Sequence, residues 1–189
     1  MNRKTSVEAF VRPGMARTRA LIKAMGFDDE DIRRPRIGVA NSWSETSPGH
    51  VHLRAVADAV KAGIWQAGGT PYEFGGFGQC PMDVGEGGIR YDTPTRDVIA
   101  ADVETCTEIH CFDGLVLISS CDKNVPGHLL AAARLGRPAI LVPGGPMLAG
   151  RHEGEDVIIT DLDAETWACG VGQSRLAPEA LANLEDAVC

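Results

Sequence analysis

The tripeptide Cys121-Asp122-Lys123 places side by side three side chains that can bind metal ions or react. A thiolate suits iron or zinc, whereas a carboxylate suits a hard cation such as Mg²⁺. Since neighbouring residues at the end of a strand point in different directions, one turn could serve two metal centres. The alternative is structural, with Asp122 capping a helix and Lys123 on the surface beside a buried Cys121. The spacing of these residues leaves both interpretations open.

Two other kinds of functional site, a cysteine nucleophile and a nucleotide-binding loop, have less support in the sequence. Cys121 could be a nucleophile assisted by His50, His52 or His128. The negative charge of the adjacent Asp122, however, disfavours the thiolate that such an enzyme needs. A nucleotide-binding loop is not indicated, because neither a G-x-G-x-x-G after a strand nor a Gly-Lys-Ser/Thr loop occurs. The tripeptide therefore favours metal ligation over nucleophilic attack.

The elements that position this tripeptide follow an alternating pattern of strands and helices. Apolar runs predict strands at 36–41, 70–74, 114–119 and 138–142, and the helical period predicts helices at 15–25, 51–67, 94–110, 125–135 and 178–188. Strands that are apolar throughout and alternate with helices form a parallel sheet with helices on both faces. The predicted fold class is therefore α/β. It has a helical arm over about 1–35, a sheet-forming core over about 36–150, and a loop and final helix over 151–189.

Four polar or glycine-rich loops follow the predicted strands, at 41–50, 75–88, 119–124 and 143–147. In open α/β sheets, ligands bind outside the carboxyl ends of the strands. The second loop carries Cys80, Asp83 and Glu86, and the third carries the tripeptide. The pattern predicts a binding site where these loops meet.

Length, hydropathy and charge exclude several classes of protein. The chain has 189 residues, 44% of them hydrophobic, which is enough for one sizeable core. The 18 Lys and Arg against 26 Asp and Glu give a net charge of −8, which disfavours a nucleic-acid partner. No stretch approaches about 18 uninterrupted apolar residues, so no membrane span is expected. The first ten residues lack the apolar core of a secretory signal, which predicts the cytoplasm.

Six segments resemble the N-terminal part of the family of dihydroxy-acid dehydratases, which also includes phosphogluconate and sugar-acid dehydratases. The segments run in family order along nearly the whole chain and are Ile37–Trp43, Val60–Gly69, Phe112–Ile118, Cys121–Gly127, Ala131–Leu135 and Pro143–Met147. The resemblance implies that the chain is the N-terminal portion of a larger dehydratase domain.

The resemblance also implies an iron–sulfur hydro-lyase that removes water from a 2,3-dihydroxy carboxylic acid and releases a 2-oxo acid. By position, Cys121 and Cys189 match ligands of the cluster, a 2Fe–2S rather than a 4Fe–4S cluster. Asp122 matches a Mg²⁺ ligand, and Lys123 matches a lysine that relatives carry as a carbamate, an anionic oxygen ligand that a hard metal accepts. The catalytic serine base is expected beyond Cys189, so the chain alone should be inactive.

Two departures from the family pattern concern ligands. Relatives with a 2Fe–2S cluster carry a cysteine directly after the proline of the first loop, where this chain has Gly49. Either His50 or Cys80 replaces that ligand, or the cluster differs or is absent. In the second loop, Pro81 stands where a magnesium carboxylate is expected, so Asp83 or Glu86 would have to take its role.

The leading hypothesis is a dihydroxy-acid dehydratase of branched-chain amino-acid biosynthesis, present here as an N-terminal fragment of a homo-oligomeric enzyme. Its partner would be a small-molecule dihydroxy acid. A sugar-acid dehydratase is the alternative enzyme, because the run Trp65–Gly69 resembles that branch. A truncated, non-catalytic domain with a role in assembly or binding is the alternative from another class. Gly49 favours that alternative, and the intact Cys121-Asp122-Lys123 argues against it.

Overall fold

A four-stranded parallel sheet lies in the first of two compact units, Met1–Gly145 and Pro146–Cys189. The structure is a computed structural model that describes residues 5–78, 88–166 and 174–188. The strands of the sheet are β1 (Arg36–Asn41), β2 (Thr70–Gly75), β3 (Gly114–Ser119) and β4 (Ala139–Pro143). They pair in the order β2-β1-β3-β4, and all three pairings are parallel. The predicted parallel sheet is confirmed, and no strand end differs from its predicted position by more than one residue.

Helices cover both faces of this sheet, as predicted. The helices of the first unit are α1 (Ser6–Phe10), α2 (Ala16–Ala24), α3 (Asp29–Arg33), α4 (Leu53–Gln66), α5 (Thr95–His110) and α6 (Asn124–Leu135). On one face, α4 shares a core with Val116 and Ile118 of β3. On the other face, α5 and α6 share a core with Leu115 and Leu117 of the same strand. Because successive strand residues point to opposite faces, β3 is buried along its whole length.

Helix α6 begins directly after Cys121-Asp122-Lys123 and so fixes the tripeptide at its N-terminus. Gly127 lies where α6 packs against α5. A Cβ at this position would lie 2.9 Å from the Cβ of Ile99 and 3.1 Å from the carbonyl oxygen of Arg96. The absence of a side chain at Gly127 therefore allows the two helices to approach closely.

The first three helices form an arm that packs beside the sheet. Thr5 and Asp28 start α1 and α3 with capping boxes, so each helix begins at a local polar contact. Asp113 fastens the arm: it accepts hydrogen bonds from the backbone N–H of Ser6 (2.8 Å), from the Ser6 hydroxyl, and from the backbone N–H of Arg36 (3.0 Å). Three buried side chains form the core of the arm, namely Phe10, Ile22 and Ile32.

The second unit contains an antiparallel hairpin of β5 (Gly150–His152) and β6 (Glu155–Val157), followed by α7 (Ile159–Thr166) and α8 (Pro178–Ala187). The final helix matches its prediction, but the hairpin and α7 lie where the sequence predicts a loop. The hairpin turns at Glu153 and Gly154, whose φ values of 49° and 89° suit a tight two-residue turn. Strands of three residues are too short to show the alternation by which strands are predicted.

None of the helices that the structure describes, in either unit, is long and apolar enough to cross a membrane.

Candidate functional site

Loops from all four strands of the sheet lie at the same edge, because the strands are parallel. Backbone hydrogen bonds tie these loops together. The amide of Ser42 donates to Ile118 (3.1 Å), that of Gly76 to Asn41 (2.9 Å), and that of Gly144 to Ser119 (2.8 Å). A Cβ at Gly78 would overlap the carbonyl oxygen of Ser42, so the loop after β2 lies directly against the loop after β1.

Cys121 turns the chain from β3 into α6 at this edge. Its φ of 64° is in the left-handed region, which few residues other than glycine adopt. Non-glycine residues held in this region occur often at ligand and active sites. A Cβ at Gly49 would lie 3.4 Å from the Cys121 Sγ and 3.2 Å from the Ser120 Oγ. Position 49 therefore lies against the thiol, where the resemblance expects a second cysteine and this chain has none.

Lys123 lies between two carboxylates. Its ammonium nitrogen is 2.7 Å from Asp122 Oδ2 and 2.9 Å from Asp92 Oδ2. Hydrogen bonds to Asp122 and then to Asp92 raise the pKa of Lys123 above its usual value. The Lys123 side chain is 13% exposed and that of Asp92 only 7%, whereas that of Asp122 is 67% exposed. The tripeptide is thus part of a charged cluster with one nearly buried acid.

Asp92 is the member of this cluster that sequence reasoning missed. It lies just before α5, and its backbone carbonyl accepts hydrogen bonds from the amide and the hydroxyl of Thr95. In the sequence, an acid just before a helix is sufficiently explained by the helix dipole. The contact with Lys123 depends on the packing of α5 against α6, which no local pattern shows.

His50 and His128 are both fully buried. The Nδ1 of His50 is 2.6 Å from the carbonyl oxygen of Ser42, and its Nε2 is 3.4 Å from the Nδ2 of Asn124. His50 thus donates through Nδ1 and accepts through Nε2, which links the first loop to the start of α6. Burial lowers the pKa of His128 to about 4, so its imidazole is neutral near pH 7.

Four sequence-predicted site residues lie outside the residues that the structure describes, namely Cys80, Asp83, Glu86 and Cys189. Among the residues described, no group of three or more His, Cys, Asp and Glu side chains is arranged to hold a metal ion. The site that can be built from the described residues therefore consists of Cys121, Asp122, Lys123 and Asp92.

The chain matches known proteins along most of its length. Residues 34–189 match the model of the family Dihydroxy-acid/6-phosphogluconate dehydratase N-terminal. The chain is 48% identical over 182 residues to a dihydroxy-acid dehydratase of Pyrococcus furiosus. The aligned region covers 95% of this chain and 33% of that protein. The chain is 53% identical over 156 residues to one of Ignicoccus hospitalis, covering 82% of this chain and 28% of that protein.

A dihydroxy-acid dehydratase of Caldicellulosiruptor saccharolyticus is 49% identical over 173 residues, covering 90% of this chain and 31% of that protein. The chain thus spans about a third of the length of the curated relatives it matches. Its parallel sheet and its sequence agree with one assignment. The chain belongs to the dihydroxy-acid and 6-phosphogluconate dehydratase family, of which it matches the N-terminal region.

Proposed function

We propose that the intact protein containing this chain removes water from a 2,3-dihydroxy carboxylic acid. The reaction breaks the C2–H and C3–O bonds, and the resulting enol rearranges to a 2-oxo acid. The observation that carries the proposal is the placement of Lys123 between two carboxylates, beside Cys121, at the edge where the loops meet. The names of the relatives support the substrate class, since each is a dihydroxy-acid dehydratase.

The oxygen atoms of Asp92 and Asp122 are donors of the kind that a hard divalent cation takes, although the described residues supply only these two carboxylates there. Asp92 Oδ1 is buried and has no hydrogen-bond partner among the described residues, so one acidic oxygen is available there. Asp122, together with Lys123 as a carbamate, would hold Mg²⁺ through oxygen atoms, the donors that this ion prefers. Bound there, Mg²⁺ would hold the carboxylate and the 2-hydroxyl of the substrate and acidify the C2 proton.

Cys121 is proposed as a ligand of an iron–sulfur cluster, 2Fe–2S rather than 4Fe–4S, with Cys189 as a second ligand. Its position at the loop edge supports this role. Gly49 supplies no thiol opposite it, however, so the described residues offer one thiolate at this edge, and one thiolate does not form a cluster site. We therefore derive no catalytic step through the cluster.

The protein's own elements prepare this edge for anionic ligands. The twelve-residue α6 begins at Asn124, and the positive end of its dipole favours negative charge on Cys121 and Asp122. The Nε2 of His52 lies 2.9 Å from the carbonyl oxygen of Gly144, which holds the fourth loop next to the first. The buried ring of His50 does the same for the first loop and α6. These contacts give the ligand-bearing loops a fixed arrangement before substrate binds.

Finer features of the proposal rest on the family resemblance. We propose that the reaction serves branched-chain amino-acid biosynthesis in the cytoplasm and that the intact protein is a homo-oligomer. The base that removes the C2 proton is expected beyond Cys189, so residues 1–189 alone should show no turnover.

The test is to express the complete reading frame that contains this chain and to supply two substrates. One is a branched-chain 2,3-dihydroxy acid and the other is 6-phosphogluconate. Formation of a 2-oxo acid, detected as its hydrazone, is expected from the first substrate. Product from 6-phosphogluconate alone would overturn the branched-chain assignment, and no product from either would overturn the dehydratase proposal. A matched preparation of residues 1–189 is the inactive control.

A further inference from the structure

Asp92 is the least exposed acid of the charged cluster, and only one of its two carboxylate oxygens has a hydrogen-bond partner among the described residues. Its side chain is 7% exposed, and Oδ2 accepts a 2.9 Å hydrogen bond from Lys123. Its other carboxylate oxygen, Oδ1, is buried without a hydrogen-bond partner among the described residues. Leaving such an oxygen unpaired in a protein interior is unfavourable, and more so when it is charged. A native structure that keeps this arrangement has a reason for it.

Helix capping does not supply that reason. Pro94 occupies the position that caps α5, and no side chain caps this helix. The contact of Asp92 with Thr95 uses its backbone carbonyl and leaves both carboxylate oxygens out. The side chain instead extends to Lys123, whose ammonium nitrogen also contacts Asp122. One nitrogen atom thus holds two carboxylates close together.

We propose that Asp92 is a ligand of the divalent cation at this site, together with Asp122. The inference rests on the proposed function, which supplies the cation, and adds a ligand that the sequence did not indicate. The ammonium of Lys123 lies between the two carboxylates, at the position where a cation that both carboxylates bind would lie. Asp92 and Asp122 carry two negative charges, which a divalent cation balances and a single ammonium does not. The unpartnered Oδ1 provides a further oxygen for coordination.

In the 189-residue chain Lys123 is expected to lack the carbamate, so its ammonium competes with the metal ion, and this competition gives a sharp test. Lys123→Met removes the competing charge and keeps a side chain of similar length. Binding of Mn²⁺, a substitute for Mg²⁺ with a paramagnetic signal, is measured by titration in the absence of substrate. We expect Lys123→Met to bind Mn²⁺ at least tenfold more tightly than the unchanged chain. Adding Asp92→Asn should abolish this gain.

Asp97→Asn is the matched control in the Lys123→Met background. Asp97 also lies at the start of α5, and its side chain is 76% exposed and pairs with Arg134 at 3.4 Å. The control removes one negative charge close to the same end of α5 and should leave Mn²⁺ affinity unchanged. If Asp92→Asn retains the tighter binding, or if Lys123→Met shows no gain, the inference is wrong.

Folding of each variant is followed by circular dichroism with and without Mn²⁺. If Lys123→Met is unstable, Mn²⁺ should raise its melting temperature, and the Asp92→Asn double variant should show no such rise. Equal rises in both variants would contradict the role of Asp92. Since these measurements need no turnover, they are independent of the dehydratase assay. If the complete protein shows dehydratase activity but the Asp92→Asn, Lys123→Met chain still binds Mn²⁺ as tightly as the Lys123→Met chain, this inference alone is wrong.

Discussion

Cys121 and Lys123 lie two residues apart, but substitutions of them should affect different properties of the intact protein. In the intact protein, Cys121→Ser is expected to abolish the visible iron–sulfur absorption, because a serine oxygen is a poor replacement for a thiolate. Lys123→Ala should keep the absorption and lose activity, because it removes a ligand for the hard cation only. The absorption spectrum and the 2-oxo acid assay on the same preparations check both outcomes. A colourless Lys123→Ala protein would contradict the separation into two metal sites.

His128 should make the fold sensitive to acid. Its pKa is about 4 in the folded chain, chiefly because of burial and also through nearby His50, against 6.5 as the ordinary value. The unfolded chain therefore binds a proton at higher pH than the folded chain, and stability falls as the pH drops from about 6.5 to 4. This single group accounts for a loss of about 2 kcal/mol between pH 7 and pH 5.

The variant His128→Met removes the titrating group and fills the buried site with an apolar side chain. Urea unfolding at pH 7 and at pH 5 measures the effect. The variant should lose less stability than the unchanged chain over this interval. The same loss in both proteins would show that other groups cause the acid sensitivity.

At the scale of elements, the contact between α5 and α6 depends on Gly127. Alanine at this position would place its Cβ 2.9 Å from the Ile99 Cβ, so the helices must move apart. We expect Gly127→Ala to lower the free energy of unfolding by about 1–3 kcal/mol. Gly63→Ala in α4 is the control, because a Cβ there meets nothing within 4 Å. The control should raise stability by about 0.5–1 kcal/mol through helix propensity.

Thermal or urea unfolding of the two variants measures this difference. Equal effects of Gly127→Ala and Gly63→Ala would mean that the interface adapts to the added methyl group. A loss of Mn²⁺ binding in the tightly binding Lys123→Met background would follow if α6 shifts away from Asp92.

The elements that carry the site could be predicted from the sequence because their signals are local. β3 is an apolar run, and α6 combines a helical pattern with Gly136 as its stop. Because the strands are parallel, the loops that follow them lie at one edge of the sheet. This placed Cys121-Asp122-Lys123 at the predicted binding site. The hairpin of the second unit lacked such a signal, since its strands have three residues each.

The surroundings of the site residues could not be predicted in this way. The contact between Asp92 and Lys123 joins two helices, and only their packing reveals it. His50 is adjacent to Gly49 and so suggests a replacement ligand, but its burial and its contacts with Ser42 and Asn124 depend on the whole fold. Sequence patterns identify which residues can do chemistry, whereas tertiary packing decides what each one touches.

At the scale of the whole molecule, residues 1–189 are expected to be colourless and poor in metal as isolated. Cys121 and Cys189 are the two cysteines that the resemblance assigns to a cluster, and two thiolates are too few to hold a cluster firmly. Lys123 should be largely without carbamate, since no Mg²⁺ stabilises the modification. Anaerobic reconstitution followed by iron and sulfide analysis measures the outcome.

Gly49→Cys is the informative companion variant, because it adds a thiol at the position that lies against the Cys121 Sγ. It should retain more iron after reconstitution than the unchanged chain. A stable, stoichiometric cluster on the unchanged chain would contradict the prediction and direct attention to His50 and Cys80 as ligands.

The fastening of the arm by Asp113 has a consequence for the order of events during synthesis. Asp113 follows Ser6 by 107 positions, so the ribosome makes the arm long before its anchor. At about 5–20 residues per second, the delay is on the order of 5–20 s. In that interval the arm is not yet held by Asp113. Its apolar side chains can already bury their surfaces against one another, namely those of Phe10, Ile22 and Ile32. The capping boxes at Thr5 and Asp28 are complete within their own helices, so they can form while the chain is still growing.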